Sequence, residues 1–556
     1  MGVMALQPRL KSFRPRLLDH LPSYKRTDLV ADVSAGLTVG MVALPLAMTF
    51  AMASGLSPQA GLVTAIVAGL IISLFGGSSF QIGGPAGAFI VVVYAIVERY
   101  GVPNLLVATA CSGVLLIFMG LFRMGDLVRL IPVSIVAGFT SGIAVLIALS
   151  QVKEFLGLSG DALPAEFFAK VQGLLTALPS IDPLTVVMGS ICLIIILAWP
   201  KSNVASDGPL SRAFSRLPGS LIAIGLSTLF VVLFQLPVET VGSRFGAIPQ
   251  GFPMPSLPEF EWGKVQFLFG PIITIAMLGA VESLLCARVA DGLTKTRHDP
   301  NQELMAQGLA NIASPLFGGF CATGTIARTV TNIRSGARSP IAGVVHALSL
   351  LVVVLVAAPL AEFIPLTALA ATALVVAYNM GDWRVFADMR HHAMPYRLTL
   401  IVTFVLTIVL DITVAVQVGL TMACVFFIWR VSQLTRVEKV SDEERSARGL
   451  EADGVEIRRL TGILFFGAVS CLEPLMNPKR VLPKTLLLDC SALLAIDSTG
   501  TEALRSLDDF LASRGTELLL ASVRPEPLQV MTRLGLIDDL GSERLFPTIQ
   551  GALGLR

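Results

Sequence analysis

The sequence predicts a polytopic α-helical membrane protein with a small soluble α/β domain at its carboxy end. Three observations predict this. Charged residues make up 14% of the 556-residue chain and apolar residues 54%, where a soluble protein would carry charge at roughly 25% of its positions. Apolar runs recur at the roughly 17–25 residues that a helix needs to cross a hydrocarbon core. After Arg430 the composition changes to an ordinary mixed sequence. The short alternating segments of a membrane β-barrel are absent.

The amino-terminal stretch, residues 1–27, carries Arg9, Lys11, Arg14, Arg16, Lys25 and Arg26, opposed by Asp19. By the positive-inside rule this end lies in the cytoplasm. The net charge of +2 gives no reason to expect nucleic acid as a partner. Seven scattered cysteines form neither a metal-ligand spacing nor a disulfide framework, and read as small buried hydrophobes. The transport-type apolar region is expected over 28–432, a charged linker over 433–453, and the soluble domain over 454–556.

Within the apolar region a pattern recurs. "LFGG" occurs at 74–77 and at 316–319, each time after an apolar run. Each copy leads into a Gly- or Thr-rich break and a short apolar run: "SSFQIGGPAGAFIVVV" in the first half, "FCATGTIARTV" in the second. The two halves are expected at about 28–236 and 265–432. A half-helix that begins at mid-membrane leaves backbone N–H groups free there, and its positive dipole end favours an anion. Irregular backbone at that depth is tolerated only where it is buried in protein or lines a cavity, and matched breaks in two halves point to a binding site between them.

The second break carries Arg328, expected about one turn inside a short helix that starts near Thr323 to Thr325. A buried cation is costly unless it has a partner, so Arg328 is read as the positive element of an anion site, with a structural ion pair or an arginine snorkelling to the interface as the alternatives. Glu282 sits deep in the apolar run "LGAVESLLCA" and is the candidate for coupling to a proton. Its alternative is permanent pairing with Arg328 or with helix N–H groups. In the first half Gly83, Gly84 and Pro85 are expected to open the other short helix, Pro85 in its first turn. Ala86, Gly87 and Ala88 are small enough for a ligand to approach the backbone, and Phe50 offers an apolar wall. Asp291 and Asp411 are expected near span ends.

The tail alternates strand-like "RRLTGILFFGA", "KTLLLDCS" and "TELLLASV" with the helical "STGTEALRSLDDFLASRG", which argues for a small α/β domain. Ser498 and Thr499 fall at the helix start, where they would cap it or serve as a regulatory or partner site.

Taken together, "ALPLAMTFAMASGLSPQAGL", "FQIGGPAGAF", "NQELMAQGLANIASPLFGG", "GGFCATGTIARTVTN" and the "IDSTG" tail resemble the sulfate permease family, also called solute carrier family 26. The resemblance implies fourteen membrane segments in two inverted repeats of seven, split into core and gate domains, with a cytoplasmic STAS domain after them. It implies a homodimer working by an elevator-like movement, in a bacterial inner membrane with both termini cytoplasmic. It also implies an anion held at Phe50, Ala86, Gly87, Ala88, Thr325, Ile326, Ala327 and Arg328, with Glu282 beside them, and no cofactor. The chain departs from animal members at Ala43 and Leu46, where they carry glutamine, and at Ala327, where they carry serine. Thr499 stands where phosphorylated relatives commonly have serine.

The function expected is secondary active anion transport, with lipid around it and a cytoplasmic protein as a partner for the tail domain. Similarity to bacterial dicarboxylate members makes proton-coupled uptake of fumarate or succinate the first expectation. Sodium-coupled bicarbonate symport, proton-coupled sulfate symport and an anion channel are the alternatives. No nucleotide-cradling loop, metal cluster or catalytic triad points to an enzyme.

Overall fold

The computed structural model describes residues 13–126, 132–160, 163–164, 166–199, 219–246, 251–257, 266–410, 412–450 and 452–554. Arg9, Lys11 and Asp411 lie outside them. The chain divides into two compact units, residues up to 420 and residues from 421 on.

The first unit is helical. After a short turn of helix at Leu17–His20 come α1 (Arg26–Ala53), α2 (Pro58–Phe75), the two-residue strand β1 (Gly83–Gly84), α3 (Phe89–Tyr100) and α4 (Val102–Leu121). It continues through α5 (Val133–Leu156), α6 (Phe167–Ala177), α7 (Pro183–Ala198) and α8 (Gly219–Phe234). The opening order then repeats as α9 (Phe269–Thr294), α10 (Pro300–Leu316), β2 (Thr323–Gly324), α11 (Ile326–Arg334) and α12 (Ile341–Ala361). Then come α13 (Leu366–Met380), α14 (Met394–Val409) and α15 (Ile412–Leu434), the last running on into the second unit. Six helices among the described residues are long and apolar enough to cross a membrane, and four more apolar helices are shorter.

The helix starts follow from local chemistry. Asp299 accepts hydrogen bonds from the N–H groups of Asn301 and Gln302 at the head of α10, with Pro300 at the first helical position. Ser57 and Pro58 do the same for α2, the side-chain oxygen satisfying an otherwise orphan donor. Pro45 lies inside α1 without ending it.

The two copies embrace each other. Helix α10 packs on α4, and reciprocally α12 packs on α2. Small residues permit this. A methyl group on Gly113 would lie 2.6 Å from the Gly308 carbonyl, and one on Gly308 would lie 2.5 Å from the Gly113 carbonyl, so close backbone approach is open only to glycine there. Two buried carboxylates pin the crossing loops. Asp32 of α1 accepts from the N–H groups of Arg338 and Ser339 and from the hydroxyls of Ser339 and Tyr24. Glu303 of α10 accepts from the N–H groups of Gly77 and Ser78.

The second unit holds β3 (Arg436–Lys439), β4 (Val455–Leu464), β5 (Thr485–Asp489), β6 (Leu493–Ile496), α16 (Ser498–Ala512), β7 (Glu517–Ala521), α17 (Pro525–Arg533) and β8 (Leu545–Phe546). The sheet order is β3-β4-β5-β7-β8, with β6 pairing with β4. Only β3 runs antiparallel to its neighbour. Strand β3 comes from the charged stretch read above as a linker. Leu504, Leu507 and Leu511 recur on one face of α16 and are buried against Leu486, Leu488, Leu518 and Leu520 of the central strands, which is the helical period read in the sequence.

Candidate functional site

The two breaks meet. Strands β1 and β2 pair antiparallel, Gly83 opposite Gly324 and Gly84 opposite Thr323. The backbone groups freed by the breaks are therefore satisfied by each other and by neighbouring side chains, as buried polar groups must be. Thr325 N–H donates to the Ile82 carbonyl at 2.9 Å, and Ile82 N–H donates to Thr329 Oγ1 at 3.0 Å. Thr323 Oγ1 donates to the Gly279 carbonyl at 3.0 Å, and Asn332 Nδ2 to the Phe80 carbonyl at 2.9 Å. Gln81 Nε2 donates to Ser283 Oγ at 2.7 Å.

From this crossing the two short helices α3 and α11 set out. Neither start, at Ala88 or at Thr325, carries a side-chain cap among the described residues. The N–H groups of Phe89 and Ile90 turn back to the Ala86 and Gly87 carbonyls, so it is the first turn of α11 that leaves donors for a ligand. Arg328, third residue of α11, is buried at 1% exposure. Its Nη2 donates to the Pro85 carbonyl at 2.7 Å, while Nη1 has no partner among the described residues and lies against Gly84, whose φ of +150° only glycine holds without strain. Arg328 thus ties the second break to the first and keeps donor capacity in reserve. Glu282 is buried on α9, one turn from the Gly279 carbonyl that receives Thr323, and its Oε2 has no partner among the described residues. Glu282 and Arg328 form no hydrogen bond with each other, since the guanidinium is turned to Pro85.

The predicted residues therefore fall in three places. Ala86, Gly87 and Ala88 are buried between β1 and α3. Phe50 reaches them: its Cζ would lie 3.7 Å from a methyl on Gly87. Across the crossing, Thr325 is buried and hydrogen-bonded to Ile82, Ile326 is half-buried and Ala327 exposed. Ser498 and Thr499 stand apart in the second unit, exposed at the head of α16.

Three expectations are corrected. Pro85 does not occupy a first helical turn, because α3 starts at Phe89; its role is to offer a carbonyl to Arg328. The second short helix starts at Ile326, so Arg328 lies within its first turn rather than one turn inside. In the tail domain Asp497, not Ser498 or Thr499, caps α16, accepting from Gly500 N–H at 2.7 Å. A carboxylate and a hydroxyl are both good caps, and adjacent positions do not reveal which one sits outside the helix.

The sequence reading missed Ile147 and Met380. Ile147 Cδ1 and Met380 Sδ would lie 3.1 and 3.6 Å from a methyl on Gly87. Both are ordinary apolar residues of α5 and α13, and no local signal marks them.

Comparison with known proteins agrees with this architecture. A model of the sulfate permease family matches residues 29–404, and a model of the STAS domain matches residues 450–552. YvdB of Bacillus subtilis (strain 168), provisionally named a sulfate transporter, is 37% identical over 96% of this chain and 98% of its own. The bicarbonate transporter BicA of Picosynechococcus sp. is 34% identical over 83% of this chain and 82% of its own. The solved transmembrane domain of a cyanobacterial BicA superposes with a TM-score of 0.62 at 31% identity, covering 70% of this chain and 98% of that one. The fold of murine solute carrier 26 family member A9 superposes with a TM-score of 0.85 at 18% identity, covering 99% of this chain and 96% of that one. These proteins are transporters and not enzymes. The chain belongs to the sulfate permease family of multi-pass membrane anion transporters, with a STAS domain at its carboxy end.

Proposed function

We propose that this chain is a secondary active transporter of a compact oxyanion, bicarbonate or sulfate, held where the two breaks cross. The observation that carries this is Arg328, a fully buried guanidinium with Nη1 unpartnered beside two uncapped helix starts. Positive charge and free N–H groups together suit an anion. Thr325, Ile326, Ala327 and Arg328 would supply donors, Ala86, Gly87 and Ala88 the close backbone approach, and Phe50 the wall.

A four-carbon dicarboxylate, the first expectation from the sequence, fits less well. Arg328 is the one buried cation on α1, α3, α9 and α11 among the described residues, so a second carboxylate would be left without a partner. Ile147 and Phe50 also crowd the space before Gly87. The similar proteins named above carry bicarbonate or sulfate in their names, which supports the compact anion.

Glu282 is our candidate for coupling. A buried carboxylate with an unpartnered oxygen takes up a cation readily, a proton first and sodium as the alternative. An elevator-like movement, a homodimer, an inner-membrane location with both termini cytoplasmic, and a regulatory or partner role for Ser498 and Thr499 belong to the same proposal. Uptake of labelled bicarbonate, sulfate and fumarate into proteoliposomes, with pH and sodium gradients imposed separately, tests it. Gradient-driven accumulation of bicarbonate or sulfate is the expected result. Accumulation of fumarate alone would restore the dicarboxylate reading.

A further inference from the structure

Beyond the crossing the first unit holds a second polar space. A cavity of about 230 Å³ is lined by the carboxy end of α1, the carboxy half of α5, α6, the start of α13 and the short helix Val241–Phe245. It has room for an oxyanion with several waters, one of which needs about 10–15 Å³. Its position relative to the crossing is fixed by two helices. Phe50 and Ile147, both buried, face Gly87. One turn further along the same helices, Met52 and Ala53 on α1 and Ser150 and Gln151 on α5 line the cavity. An apolar plug of Phe50 and Ile147 thus stands beside the cavity, on the two helices that reach Gly87.

The charge in this cavity is mainly positive. Among the described residues Lys153, Lys170 and Arg244 line it, against one lining carboxylate, Glu154. Arg244 is engaged with Glu154 at 2.5 Å and Glu239 at 3.6 Å, and Lys153 Nζ donates to the Gly160 carbonyl at 2.7 Å. Lys170 differs. It is 6% exposed, its ammonium stands 5.2 Å from the centre of the Tyr94 ring, and no carboxylate pairs with it among the described residues; Glu98 acts on it from longer range. The Tyr94 hydroxyl is itself turned away, donating to the Leu163 carbonyl. A buried ammonium that rests, among the described residues, on a ring face and a distant carboxylate is a costly arrangement for structure alone. An anion in the cavity would complete it.

We propose that this cavity is a second anion site, a staging position in which Lys170 holds the oxyanion before it passes the Phe50–Ile147 plug. The inference rests on the oxyanion reading of the crossing. Local positive charge raises the concentration of an anion at the entrance without taking part in the later step, so Lys170 acts on capture from one face of the membrane only.

The test uses the full chain in right-side-out and inverted vesicles, with labelled sulfate and bicarbonate as probes. Lys170→Gln is expected to raise the KM several-fold from one face, leaving the KM from the other face and the maximal rate unchanged, and Lys170→Arg is expected to restore the wild-type value. An unchanged KM from both faces, or an equal rise from both, overturns the staging site. Should Lys170→Gln fail to reach the membrane, the wild type decides. Its KM should rise from one face when ionic strength goes from about 0.05 to about 0.5 M, a change that shortens screening to a few ångströms; a salt-independent KM overturns the proposal. A wild type that takes up neither anion removes the oxyanion reading first, and the staging site with it.

Discussion

Arg328 Nη2 donates a 2.7 Å hydrogen bond to the carbonyl of Pro85, 243 positions earlier in the chain. That bond joins the two halves at the point where both helices are broken, and it leaves Nη1 facing the space beside Gly84. The same side chain therefore holds the crossing together and offers it charge. Removing it should affect both.

Arg328→Ala is expected to lower oxyanion uptake by roughly 10–100-fold, since a hydrogen bond to a charged group contributes about 1.5–3 kcal/mol. Uptake per folded molecule, with folding checked by the thermal transition in detergent, measures it. Arg328→Lys should not rescue, because an ammonium cannot reach Pro85 and a ligand as a fork does. Wild-type uptake in Arg328→Ala would reduce Arg328 to a purely structural residue, and in Arg328→Lys it would show that charge without the fork suffices.

Glu282→Gln keeps the shape of the side chain and removes its charge. Its unpartnered Oε2 means no ion pair is broken by the change. Exchange of labelled for unlabelled anion should persist, while accumulation should no longer respond to the imposed pH or sodium gradient. A variant that still accumulates substrate along the gradient would show that coupling lies elsewhere.

Gly87→Ala places a methyl 3.1 Å from Ile147 Cδ1 and 3.7 Å from Phe50 Cζ. Overpacking of this size costs about 1–3 kcal/mol where nothing gives, and the half-buried Met380 leaves room to adjust. Expression should survive while the KM rises, and Ile147→Ala in the same chain should recover part of the loss. A Gly87→Ala variant with unchanged KM would place the anion away from this turn.

In the tail domain Asp489, whose side chain is 1% exposed, pairs with Arg459 at 2.8 Å, and Arg459 also reaches Glu444 at 2.8 Å. Burial pushes the Asp489 carboxyl up, but the Arg459 hydrogen bond and the Ser491 contacts outweigh it and hold the group below its ordinary range. Hydrogen bonding to Arg459 likewise lowers Glu444. A depressed folded-state pKa stabilises above the ordinary carboxylate range, and the contribution is lost as pH falls through the depressed value. Stability of the domain should therefore be level near neutrality and fall below about pH 4. Arg459→Ala strands the buried carboxylate and should cost about 3 kcal/mol at pH 7, with a smaller penalty in acid. Thermal unfolding against pH, followed by a probe in the tail domain, gives both numbers.

Asp497→Ala should cost about 1 kcal/mol through loss of the α16 cap, whereas Ser498→Ala should stay within about 0.5 kcal/mol. Equal costs would mean the cap is shared.

The matched breaks were legible because glycine, threonine and proline cannot continue a membrane helix without cause, and the alternation of strands and helix in the tail showed in its leucine spacing. Arg328 stood out because a charge in such a stretch is rare. What the sequence did not show depends on contacts between distant segments. Nothing near Pro85 reveals that its carbonyl serves Arg328, nothing in α5 marks Ile147, and Lys170 reads as a surface lysine of a short helix until Tyr94 and the cavity are placed beside it. Asp32 and Glu303 could have been suspected as carboxylates near the starts of buried helices, but the loops they bind come from the opposite repeat.

The most direct measurement is equilibrium binding of labelled sulfate and bicarbonate to the purified full chain and to Arg328→Ala. Saturable binding that is lost with the guanidinium and restored by no other cation at that position is the expected result. Saturable binding of equal affinity in both proteins would contradict it.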